Sequence, residues 1–265
     1  MKHCLSIAGS DCSGGAGIQA DLKAFSAHRC YGMSVITSVV AENTSRVISV
    51  YNMPAAEVEK QIDAVFEDIR VDAVKLGMLP NAEIIEAVGE RLAKYRPEII
   101  VCDPVLVATS GDALSDGKTV SAMRKSIFPL ADLITPNIPE AETISGVEIR
   151  ALDDFDKAAD VIMAMGVKNL LIKGGHFAEL GYSKCVDVLY RAGGEKETFA
   201  AELVDSQNTH GTGCTLSSAI AANLANGLDM PNAIRAAKEY ITEAIKRSFT
   251  VGKGHSPVHH FCRFY

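Results

Sequence analysis

The chain has 265 residues, 48% of them apolar and 22% charged, with a formal net charge of −7. That length suits one large α/β domain with a substantial buried core, and the negative balance argues against a nucleic-acid or anionic-membrane partner. Seven cysteines, odd in number and with no CxxC pair, predict free thiols in a reducing cytoplasm.

Residues 4–8 read as a short apolar strand, followed by a loop over 9–17 and a helix to about His28. That loop follows so closely that no signal peptide fits before it. Residues 33–40, rich in Val, Ile and Thr, read as a buried strand, and 47–51 as another. Over 55–69 the spacing of Val58, Ile62, Val65, Phe66 and Ile69 is helical. Short buried strands are predicted at 73–76, 99–102, 133–134 and 170–172, separated by helices at about 82–95, 119–127 and 154–165. Residues 185–190 and 198–201 form a hairpin around Gly193-Gly194, and the chain ends in two helices, 213–225 and 231–249. No apolar run approaches the ~20 residues that span a bilayer. Alternating strands and helices imply a mostly parallel sheet with helices on both faces, in a single domain over 1–265.

Several strands end in polar or Gly-rich loops, and in open parallel sheets ligands bind beyond the carboxyl ends of the strands. The segment Gly211-Thr212-Gly213-Cys214 opens an apolar helix. Helix-start amides and the helix dipole favour an anion there, and a thiol in a first helical turn is expected with its pKa lowered toward neutrality. Such a thiol can take a proton from a hydroxyl. A Gly-rich loop before a core helix accounts for the same residues. Asp103 and Glu140 follow short strands and could hold Mg²⁺, although Asn137 and Glu140 also fit a helix cap. Lys173 would place a cation at a strand end. Gly15-x-Gly17-x-x-Ala20, with Glu42 near the end of the following strand, fits a dinucleotide fingerprint, so an NAD-binding oxidoreductase is a rival reading. His255, His259 and His260 read as a partly ordered tail rather than a metal site.

Taken together, Ala8-Gly9-Ser10-Asp11, Gly14-Gly15-Ala16-Gly17, Lys75-Leu76-Gly77-Met78, Asp103-Pro104-Val105, Pro136-Asn137-Ile138-Pro139-Glu140, Lys173-Gly174-Gly175-His176 and His210-Gly211-Thr212-Gly213-Cys214-Thr215 occur in an order that resembles the hydroxymethylpyrimidine/phosphomethylpyrimidine kinases of thiamine biosynthesis. The resemblance covers nearly the whole chain. It implies a ribokinase-like three-layer α/β/α fold with a mostly parallel central sheet. It implies ATP and Mg²⁺, two successive phosphorylations of 4-amino-5-hydroxymethyl-2-methylpyrimidine, and a homodimer in the cytoplasm.

By the same resemblance, Cys214 is the base and Gly211, Thr212 and Gly213 stabilise the γ-phosphoryl. Glu42, Gly9, Asp11, Gly17, Asp21, Met78 and Val105 hold the pyrimidine. Lys173, Asn137, Lys238 and His210 serve the nucleotide, and Asp103 and Glu140 the metal. Many members have Gln where this chain has Glu42. A vitamin B6 kinase shares the Cys-containing turn and a hydroxymethyl acceptor and is the alternative reading. A non-catalytic nucleotide-binding protein would bind ATP without turnover. Residues 108–117, small and polar, are a candidate lid.

Overall fold

The computed structural model describes residues 1–106, 117–175 and 184–265. His176 and nearly all of the candidate lid lie outside the described residues. One sheet contains β1 (Lys2–Asp11), β2 (Cys30–Asn43), β3 (Arg46–Asn52), β4 (Ala73–Leu76), β5 (Ile100–Cys102), β6 (Leu133–Ile134), β7 (Asn169–Lys173), β8 (Lys184–Arg191) and β9 (Lys196–Glu202). Their order is β3-β2-β1-β4-β5-β6-β7-β8-β9. The run from β2 to β7 is parallel, while β3 at one end and β8 and β9 at the other pair antiparallel.

The central strands are covered on both faces, which is why they read as continuous apolar runs. Alternate residues serve two separate cores. Cys4, Ala73, Val101, Leu133 and Leu171 face one; Leu5, Val74, Ile100, Ile134 and Ile172 face the other. The first core is closed by α1 (Gly17–Ala27), α7 (Thr212–Ala225) and α8 (Met230–Lys246), through Phe25, Ile220 and Tyr240 among others. The second is closed by α2 (Ala55–Phe66), α3 (Ala82–Tyr95), α4 (Gly117–Ser126), α5 (Ile138–Ser145) and α6 (Asp154–Met163). This is the expected three-layer α/β/α arrangement with a mostly parallel sheet. No described helix is long and apolar enough to cross a membrane.

Two strands run further than expected. β1 continues through Asp11 because its pairing with β2 resumes beyond a bulge in which Thr37 and Ser38 of β2 stand against Gly9, from Ala8↔Ile36 to Ser10↔Val39. Gly9, Ser10 and Asp11 are therefore strand rather than loop. β2 reaches Asn43 because antiparallel pairing with β3 carries it to Asn43↔Arg46. The C-terminal residues are also better anchored than a partly ordered tail. Tyr240 donates to the His260 carbonyl at 2.7 Å, and the His260 ring lies 3.0 Å from the Thr215 hydroxyl with its side chain buried. Burial pushes that imidazole down to about 3, so it is neutral.

After β1 the chain crosses to β2 on one side and later to β4 on the other. The strand order therefore reverses between β1 and β4, the place where a crevice opens at the strand ends.

Candidate active site

The N-terminus of α7 faces that crevice. Gly211 caps it with φ +75°, and a Cβ built there would fall 1.8 Å from the Gly15 carbonyl oxygen. Only glycine combines that conformation with that approach. The Thr212 amide and hydroxyl both donate to the Thr209 carbonyl, at 3.2 and 2.6 Å, and the Thr215 amide donates to Gly211. Thr212 thus spends its donors on its own turn instead of offering them to a phosphoryl group. The amides of Gly213 and Cys214 meet no acceptor among the described residues, as expected of a free helix start. They border a cavity of about 710 Å³.

At one part of this cavity stand the residues expected for nucleotide and metal. Lys173 at the end of β7 donates to Asp103 at 2.7 Å, and Thr135 donates to the same oxygen at 3.0 Å. Burial works against charge on Asp103, but Lys173 and Lys75 outweigh it and hold its carboxyl below the usual range. Lys173 is kept above its ordinary value: burial opposes its charge, and the Asp103 and Glu140 carboxylates prevail. A methyl on Gly213 would lie 3.3 Å from the Lys173 ammonium, so the glycine keeps this ion pair close to the start of α7. Glu140 accepts the Asn137 amide at 2.8 Å while the Asn137 side chain accepts the Glu140 amide at 2.9 Å, a reciprocal cap on α5. The cap expected for these residues is present, and Glu140 and Asn137 also line the cavity. Burial, with Asp103 adding to it, pushes Glu140 up to about 7 against the pull of Lys173. Lys238 of α8 lines the cavity and donates to Asp187 at 2.6 Å.

Gly9, Gly17, Met78, Val105, Asp11 and Glu42 line the same cavity. Asp11 is the organiser of its loop. It accepts from the Ser13, Gly15 and Ala16 amides at 2.7, 2.9 and 2.7 Å and lies 2.8 Å from the His210 ring. Burial opposes its ionisation, but these donors hold the carboxyl well below the usual range. His210, expected to serve the nucleotide, is therefore engaged with the β1 loop. The same bonds weigh against the dinucleotide reading: the amides that would receive a pyrophosphate at the start of α1 already hold an internal carboxylate.

Asp21 does not reach the cavity. It is fully buried, accepting from Ser6 at 2.6 Å, Ser218 at 2.7 Å and Lys75 at 2.8 and 2.9 Å. The expected substrate contact is instead the counter-ion of a buried lysine. Lys75 was legible only as part of the Lys75-Leu76-Gly77-Met78 stretch, and nothing in its spacing shows that the chain buries it.

The expectation for the Cys214 thiol is also corrected. Burial pushes it up to about 11; Lys75 and the Gly17 amide favour the thiolate but do not win, and Asp21 and Asp103 oppose them. The dipole of α7 acts on a group most of whose hydration is lost. The thiol is thus protonated at neutral pH, with Lys75 the main group favouring its charged form.

A family model described as phosphomethylpyrimidine kinase matches residues 11–259. The chain is 42% identical over 261 residues to the hydroxymethylpyrimidine/phosphomethylpyrimidine kinase of Haemophilus influenzae, covering 98% of this chain and 97% of that one. It is 46% identical over 256 residues to the thiamine biosynthesis bifunctional protein of Geobacter sulfurreducens, covering 97% of this chain but 51% of that protein, so it spans about half of that relative. Among solved structures, the ADP complex of Bacillus subtilis pyridoxal kinase superposes with a TM-score of 0.90 at 40% identity, covering 99% of this chain and 98% of that one.

Proposed function

The chain belongs to the phosphomethylpyrimidine kinase family, and we propose that it uses ATP to phosphorylate 4-amino-5-hydroxymethyl-2-methylpyrimidine, first on the hydroxymethyl oxygen and then on the phosphate so formed. The observation that carries this reading is the free start of α7. The unpartnered Gly213 and Cys214 amides share one cavity with the Cys214 thiol, the Lys173–Asp103 pair and an apolar wall of Met78 and Val105.

Phosphoryl transfer needs positioning and charge stabilisation more than covalent chemistry. The Gly213 and Cys214 amides meet the developing charge on the transferred group. Lys173 neutralises phosphate oxygens. Met78 and Val105 pack the ring, and Glu42 meets its polar edge. Cys214 takes the hydroxyl proton, with Lys75 and the Gly17 amide stabilising the thiolate as it forms. In the second step the attacking phosphate oxygen is already ionised, so the thiol matters less.

Asp103 and Glu140 suit a hard divalent cation. They are carboxylate oxygens on one cavity wall, close enough for the Asp103 charge to raise Glu140, a repulsion that a cation relieves. They would hold Mg²⁺, which when bound neutralises nucleotide phosphates.

The test is ADP release measured in parallel with the hydroxymethylpyrimidine, its monophosphate, pyridoxal and pyridoxine. The pyrimidine and its phosphate are expected to give the highest kcat/KM. The opposite ranking would make the chain a vitamin B6 kinase, the reading favoured by its likeness to the pyridoxal kinase structure.

A further inference from the structure

Two carboxyl groups meet at the edge of the cavity. An oxygen of Asp11, an oxygen of Glu42 and a ring nitrogen of His210 lie within 4.8 Å of one another. The bonds of Asp11 decide where a proton between the two acids resides. Its Oδ2 accepts from Gly15, Ala16 and His210, and its Oδ1 from Ser13. These donors stabilise the ionised form and leave room for one further donor on Oδ1.

Among the described residues, Glu42 has no comparable set. Its backbone meets the Cys12 thiol, which lies 3.1 Å from the Glu42 carbonyl and 3.4 Å from its amide. Its half-buried carboxyl faces Asp11. The titratable groups around it are Asp11 from β1, His210 from the segment before α7 and Cys12 from the loop after β1. Its partner across β3, Val47, carries no charge, and Lys23 of α1 acts through Asp11. Burial first, and then Asp11, push Glu42 up to about 7, with His210 opposing. Of the two acids, Glu42 therefore carries the proton.

We propose that Glu42 receives the acceptor as a neutral acid, its proton hydrogen-bonded to Asp11 in the free enzyme and to the ring nitrogen of the bound aminopyrimidine, whose exocyclic amine donates to the other Glu42 oxygen. A neutral carboxyl presents one donor and one acceptor along one edge. An aminopyrimidine presents the complement, a ring-nitrogen acceptor beside an N–H donor. An ionised carboxylate would set a second lone pair against that ring nitrogen, which costs a buried hydrogen bond and selects against binding. Pyridoxal has no such amine-and-nitrogen edge, so the same carboxyl discriminates between the two acceptor classes. The inference rests on the acceptor proposed above.

The sign follows from the raised value. The binding-competent acid is present below about pH 7 and is lost as pH rises through it. Binding of the hydroxymethylpyrimidine is measured by calorimetry from pH 6 to 9 on the wild-type protein and on Glu42→Gln, whose amide keeps one donor and one acceptor at every pH. The wild-type Kd is expected to weaken about tenfold between pH 6.5 and 8, while that of Glu42→Gln, whatever its starting level, changes by no more than about twofold over the same range apart from the ligand's own titration. The ratio of the two constants at each pH cancels the titration of the ligand. A ratio independent of pH overturns the proposal. Failure of both proteins to bind the pyrimidine at any pH, with pyridoxal still phosphorylated, overturns the acceptor assignment and this inference with it.

Discussion

The Lys75 ammonium sits 2.8 and 2.9 Å from the two oxygens of Asp21, and neither side chain has any exposure. Ser6 and Ser218 complete the carboxylate, so one ion pair joins β1, α1, β4 and α7. Removing one partner leaves a buried uncompensated charge. Asp21→Ala is expected to cost about 3–5 kcal/mol, read as a fall in denaturation midpoint with an unchanged m-value.

Lys75→Met tests the same pair from the side of function. Without the cation the Cys214 thiolate loses its main support. Alkylation of Cys214 by iodoacetamide is expected to slow about tenfold or more at pH 8. An unchanged rate in a folded variant would show that the lysine serves only stability.

Cys214→Ala is expected to depress the first phosphorylation by at least about 10²-fold and the second far less. Because the thiol is pushed up to about 11, thiolate increases with pH across the neutral range. The first step of the wild-type enzyme should accelerate between pH 7 and 9 more than the second does. Single-turnover measurements with each acceptor read the two steps separately, and equal losses in both would remove the thiol from its role as base.

Gly211→Ala asks an alanine to adopt φ +75° with its methyl against the Gly15 carbonyl. The loop and the helix start must move apart. A destabilisation of about 1–3 kcal/mol is expected together with a fall in kcat, measured by thermal denaturation and initial rates.

Lys173→Met removes the cation paired with Asp103 and leaves Asp103 and Glu140 facing each other without it. The KM for ATP is expected to rise about tenfold or more, with the KM for the pyrimidine little changed, since a lost charge-assisted bond is worth about 1.5–3 kcal/mol. A rise confined to the pyrimidine KM would put Lys173 at the wrong end of the cavity.

Much of the layer structure is legible in the chain, for a physical reason. Buried parallel strands such as 73–76 and 133–134 are short apolar runs between polar turns, and α3 starts where Asn81 caps it by accepting the Ile84 amide. The strand-end loops could be assigned to one cavity because parallel topology sends them there. What the sequence hides is depth. Asp21 lies four residues after Gly17 on the same helix, yet one lines the cavity and the other is sealed beneath it. The Cys214 thiol shows the same limit: helix position gives the direction of the dipole, but the opposing loss of hydration depends on neighbours distant in the chain. Thr212 carries a hydroxyl and an amide suited to an anion, and only the turn geometry reveals that Thr209 takes both.

The residues from Ser256 to His260 have a consequence for the order in which this fold is completed. The Ser256 carbonyl accepts the His210 amide at 3.2 Å, a Cβ on Gly15 would lie 2.8 Å from Pro257, and His260 bonds Thr215 in the first turns of α7. The loop between β1 and α1 is therefore held by residues that follow α8. Synthesis can lay down the sheet and its covering helices strand by strand, but this side of the cavity is completed only once Ser256 and Pro257 are in place. A variant truncated before Ser256 is expected to be largely folded by circular dichroism and inactive in ADP release, losing activity before it loses its fold.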